Sequence, residues 1–188
     1  MKIKILIVLS FLMLTQICIA QNSDGIISWD SLKSLTWADF KGRPSTSFPF
    51  DALTEGSFSC NFEKISDTES KLIITMGFNS KKSWVKPKKA TDKLLIHEQG
   101  HFDIFEIYAR ILVKKLEETN ALSGKNYGDK TKKLFEKNFK ELMQLQDKYD
   151  KETNHSKDEE KQLEWTEKIK SMLKENEKYA KKELPFKL

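Results

Sequence analysis

The spacing of apolar positions changes along the chain near residue 90. Before that point apolar and polar residues alternate: Phe58, Cys60 and Phe62 occupy every second position, and Leu72 to Phe78 is rich in β-branched and aromatic side chains. A period of two places alternate side chains on one face of a strand. With the polar stretch from Asp67 to Ser70 between them, the two runs predict a β-hairpin. Ahead of the hairpin, Trp29, Leu32, Leu35, Trp37 and Phe40 form an aromatic opening, and Gly42, Pro44 and Pro49 mark a loop that cannot be regular structure.

Past residue 90 the period lengthens to that of helices. The first begins near Thr91 or Asp92, carries Leu94, Ile104, Phe105, Tyr108, Ile111, Leu112 and Leu116 at helical spacing, and ends before Ser123 and Gly124. The second is expected after Gly128 with Asp129 as its N-cap, and has a stripe of Phe135, Phe139, Leu142 and Tyr149. For the third, Ser156 and Glu159 read as a capping box, with Trp165, Ile169, Met172 and Tyr179 on the apolar face. Strands followed by helices imply an α+β class: a small N-terminal antiparallel sheet, then a long helix, then a C-terminal hairpin of helices two and three. There is no internal repeat.

The first twenty residues stand apart. Lys2 and Lys4 precede an apolar run from Ile5 to Leu14, and a small Ala20 closes the segment, the pattern of a cleaved export signal. Residues 1–20 are therefore expected to be a signal peptide and 21–188 one domain, in a protein that is exported, periplasmic or secreted. No later segment approaches the roughly 20 apolar residues of a spanning helix, so no transmembrane segment is expected after cleavage. Cleavage removes Cys18 and leaves Cys60 alone, which excludes a disulfide framework. It also lowers the formal charge of +5 by the two lysines, and the remaining charges are mixed along the chain, so nucleic acid is not an expected partner.

The chemistry lies on the first helix. His97-Glu98-Gln99-Gly100-His101 is an HExxH sequence. Residues four apart on a helix share a face, so both imidazoles can reach one zinc ion, and Glu98 is placed to take a proton from a zinc-activated water. The alternative is that the two histidines only make a polar contact. Gly100 argues against it, since glycine within a helix costs about 1 kcal/mol relative to alanine and calls for a packing reason.

A catalytic zinc usually has three protein ligands. A further histidine six residues after His101 is absent, because Ile104 and Ile107 stand at the positions where the extended motif needs Gly and His. The third ligand must then be the remaining histidine or a carboxylate. His155, just before the third helix, is the leading candidate; Asp150, Glu152, Glu159 and Glu160 are the alternatives. Tyr149 is a candidate donor to a developing oxyanion, and Asp150 could instead orient a ligand histidine.

The segment from Leu94 to Ile104, the later Tyr149-Asp150-x-x-Thr153-x-His155, and the early Thr36-Trp37-x-Asp39-Phe40-x-Gly42 resemble, in that order, the motifs of the bacterial domain of unknown function 922 family. The resemblance runs from about Trp29 to Trp165 and implies a secreted, zinc-dependent protease with a zincin-like site, without naming a substrate. Ser156 stands where that pattern has Gly. The expectation is thus a zinc metallopeptidase acting on a peptide or protein of the cell envelope, with a strand of the preceding sheet aligning the substrate. The alternative is a noncatalytic zinc-containing module that binds an envelope partner.

Overall fold

The computed structural model describes residues 25–45 and 47–188; the expected signal segment lies outside them. The predicted hairpin is present as β3 (Gly56–Lys64) and β4 (Glu69–Asn79), paired antiparallel from Gly56↔Phe78 to Lys64↔Ser70. Strand β4 is the centre of a four-stranded antiparallel sheet. Its other edge is shared by β1 (Ile26–Ser28), opposite Gly77 to Asn79, and the C-terminal β6 (Glu183–Lys187), opposite Glu69 to Ile73. A separate two-stranded piece pairs β2 (Ala52–Leu53) with β5 (Trp84–Val85).

Alternation on β4 sets which face is covered. Leu72, Ile74, Met76 and Phe78 are all buried, and this face packs on α1 (Asp92–Glu118), with the rings of Phe78 and Phe102 5.8 Å apart. On its other side α1 meets α2 (Tyr127–Thr153) and α3 (Glu159–Glu175). Helix α1 is thus the middle layer of an α+β fold, which explains why its buried positions surround it instead of forming one stripe. No helix among the described residues is long and apolar enough to cross a membrane.

The helix starts differ in detail from the sequence expectation. Thr91 caps α1 as expected, accepting from the Leu94 N–H. Helix α2 begins at Tyr127, ahead of Gly128, and Asp129 lies in its first turn; the Tyr127 ring packs on Phe62 and Phe186, so tertiary contact extends the helix past its glycine. The cap of α3 is Asp158, which accepts from the Lys161 N–H, while Ser156 belongs to the preceding turn. Tyr179 lies beyond α3 in a short 3-10 turn. Strand β6 contains Pro185, which an edge position tolerates because a proline has no N–H to contribute to a ladder.

Candidate metal centre

Helix α1 runs between the sheet and α2, and His97 and His101 face α2 from successive turns. Their Nε2 atoms are 3.2 Å apart. Asp150, in the last turn of α2, places Oδ1 3.0 Å from His97 Nε2 and 3.1 Å from His101 Nε2. The ligand-capable atoms of these three residues all lie within 4.8 Å of one another.

The hydrogen bonds behind the rings decide what those nitrogens offer. Gln146 Nε2 donates to the His101 carbonyl, which fixes the amide so that its Oε1 faces His101 Nδ1 at 2.6 Å. Gln162 Nε2 donates to the Tyr149 hydroxyl, which donates in turn to the His97 carbonyl, and Gln162 Oε1 faces His97 Nδ1 at 3.0 Å. An amide oxygen only accepts, so both Nδ1 atoms carry the proton. In its neutral form each imidazole then turns an Nε2 lone pair toward the other and toward a carboxylate oxygen. Three such acceptors at about 3 Å repel one another unless a cation, either a proton or a metal ion, lies among them. Two imidazoles and a carboxylate are also the donor types of catalytic zinc sites.

Protons show the same preference. Burial opposes charge on Asp150, but the imidazoles of His101 and His97 prevail and hold its carboxyl well below the usual range. Burial likewise opposes charge on His101, and Asp150 and Glu98 prevail to raise its pKa.

Tyr149 was expected as an oxyanion donor, and the structure places it elsewhere in the site. Fully buried, it stacks on the His97 ring at a centroid distance of 4.6 Å, with its hydroxyl committed to the His97 carbonyl and Gln162. It supports the ring from behind and does not line the cleft of about 360 Å³ in front. The packing reason for Gly100 is here: a Cβ at that position would lie 2.4 Å from the Tyr149 hydroxyl oxygen.

His155 reaches the centre through the turn after α2. Asn154, His155 and Ser156 have φ of 47°, 51° and 68°, three successive left-handed residues. The His155 N–H returns to the Asp150 carbonyl, and its Nδ1 lies 3.2 Å from Asp150 Oδ1 at the mouth of the cleft, where the ring touches Phe50. His155 is thus adjacent to Asp150 but outside the compact group. The other candidate carboxylates are turned away. Glu152 accepts from Trp165 Nε1, Glu159 pairs with Lys93, and Glu160 is exposed on α3.

Glu98 is buried and lines the cleft beside the histidines. One of its oxygens accepts from Thr54 Oγ1 at 2.7 Å; the other has no partner among the described residues. Thr54 follows β2, so the strand that borders the cleft also fixes the carboxylate. Thr54, Gln146 and Gln162 were not identified from sequence. Gln146 could have been, since it stands four residues before Asp150 on the same face of α2; the other two come from segments far from the motif.

A family of bacterial proteins of unknown function (DUF922) matches residues 38–156, more than half of the chain, and the chain belongs to this family. The match spans the two histidines, Glu98, Asp150 and His155. No curated protein and no solved structure matches the chain.

Proposed function

We propose that this DUF922 member is an exported zinc-dependent hydrolase acting on peptide bonds, with His97, His101 and Asp150 as the zinc ligands and Glu98 as the general base. The observation that carries the reading is the convergence of two Nε2 lone pairs on the Asp150 carboxylate, with both Nδ1 protons held by glutamine oxygens. Ligand histidines are commonly oriented in this way through the other ring nitrogen. When bound, zinc supplies Lewis acidity that acidifies water and polarises a scissile carbonyl.

The remaining work falls to residues of the chain. Thr54 holds one Glu98 oxygen, which leaves the other to take a proton from the attacking water and pass it to the leaving amine. Tyr149, Gln146 and Gln162 keep the imidazoles in the productive tautomer. The segment Asp51 to Gly56 borders the cleft, and among the described residues β2 pairs only on its β5 side, so an extended peptide can add to its other side and bring a carbonyl over Glu98. His155, at the rim, is available to contact substrate.

The test is Glu98→Gln, which preserves shape and removes the base. Zinc content should be unchanged, and hydrolysis of a fluorogenic peptide mixture should fall by at least about a hundredfold. Equal hydrolysis by both proteins would exclude Glu98 as the base. A fourfold-coordinated, noncatalytic site would instead require His155 to close the centre. Its 3.2 Å approach to Asp150 is the one observation that favours this reading.

A further inference from the structure

The face of α2 that carries Asp150 continues away from the metal centre. Gln146, Met143 and Phe139 stand four, seven and eleven residues before Asp150, and Met143 and Phe139 line the same cleft as His97 and Glu98. Both are out of place for core residues: Phe139 is 40% exposed and Met143 42%, whereas Leu142 and Tyr149 on the same helix are fully buried. Phe139 is nevertheless held in position. Its ring stacks on Phe135 at 6.2 Å and 12°, and Phe135 in turn rests on Phe58 of β3 at 5.1 Å. An apolar shelf, supported from the sheet, thus runs from the metal centre along the cleft.

We propose that this shelf selects the substrate: a peptide with apolar side chains about three and five residues to the N-terminal side of the scissile bond, seated on Met143 and Phe139 respectively. This rests on the peptidase reading of the site. The spacing follows from the geometry of helix and strand. At 1.5 Å per helical residue, Met143 lies about 10 Å and Phe139 about 16 Å from Asp150 along the axis, and an extended chain advances about 3.3 Å per residue. These distances correspond to roughly three and five residues. Positions three and five differ by two, so both side chains point to the same face of an extended peptide.

The direction follows from β2. Phe50, just before that strand, touches His155 beyond the end of α2, and Gly56, just after it, lies against Phe105, one turn beyond His101 on α1. The border segment therefore runs opposite to α2. A peptide pairing antiparallel with it runs from Phe139 toward Asp150, which places its N-terminal part on the shelf.

Binding to zinc-loaded, full-length Glu98→Gln protein tests this without turnover, using fluorescein-labelled dodecapeptides of serine and alanine. A peptide carrying two leucines two positions apart should bind at least about tenfold tighter than one with two aspartates there. The Phe139→Ser, Met143→Ser double variant should lose that difference at unchanged zinc content, and Met143→Leu should keep it. Equal binding of leucine and aspartate peptides, or a preference that survives in the double variant, overturns the proposal. Mass spectrometry of products from the unsubstituted protein should place the cut C-terminal to the leucine pair; a cut on the other side overturns the direction. Tight, selective binding with no cleavage would count against the hydrolase reading while supporting the shelf.

Discussion

Replacing Gly100 by alanine adds one methyl group inside α1 and pits helix propensity against packing. On an open helix surface the change would stabilise by about 1 kcal/mol. Here the new Cβ would stand 2.4 Å from the Tyr149 hydroxyl oxygen and 2.8 Å from the ring carbon that bears it, closer than van der Waals contact allows. Tyr149 has no free space, being fully buried between His97, His101 and Trp165. Relief requires α1 and α2 to separate or the ring to shift, at about 1–3 kcal/mol for overpacking. A shift also disturbs the hydroxyl's bonds to the His97 carbonyl and Gln162, for about 1 kcal/mol more. The net expectation is a loss of about 1–3 kcal/mol in urea unfolding of the metal-free protein. Because the same hydroxyl anchors the Gln162 amide, whose oxygen faces His97 Nδ1, zinc affinity measured by chelator competition should fall about 10- to 100-fold. An alanine variant as stable as the parent, with equal zinc affinity, would refute the reasoning that Gly100 exists to admit Tyr149 behind His97.

Ser156→Gly should raise stability by about 1 kcal/mol in the same unfolding assay, because φ of 68° suits glycine and strains a residue with a Cβ; no gain would mean that the turn is not strained. The cluster of His97, His101 and Asp150 should also respond to pH. His101 has a raised pKa in the folded, metal-free protein, so its protonation contributes stability that is fully present below about pH 6.5, the ordinary histidine value, and is lost as pH rises through the folded value. Zinc held as proposed would compete for the same Nε2, so its affinity should climb across that window as metal-free stability declines. Urea unfolding and chelator competition at pH 5.5 and 8 measure the two trends, and a zinc affinity independent of pH would contradict them.

The long elements were legible because their patterns extend over many residues. The alternation in Phe58 to Phe62 and Leu72 to Phe78 marks the hairpin, and Thr91 with Leu94 to Leu116 marks α1 nearly to its ends. The short strands β1, β2 and β5 have two or three residues each, too few to show a period, and β6 is hidden by Pro185. These pieces form through pairing to distant segments, which local sequence does not record. The same division holds at the site. His97, Glu98 and His101 are spaced by one helix and could be read together, whereas the part played by Asp150 depends on how α2 packs across α1. His155 was expected from its place in a turn; three left-handed residues carry its ring back over the helix end, beside Asp150 rather than in its place. The side-chain type of Tyr149 alone suggests a donor, and only the crossing at Gly100 shows that its hydroxyl is occupied.

The central claim is that His97, His101 and Asp150 together hold one zinc ion. Zinc stoichiometry by mass spectrometry, after loading and desalting, tests it most directly on the parent protein, His97→Ala, His101→Ala, Asp150→Ala and His155→Ala. The account predicts about one zinc per chain in the parent and in His155→Ala, and little or none in the other three. A parent that retains no zinc, or an Asp150→Ala protein that retains as much as the parent, would contradict it.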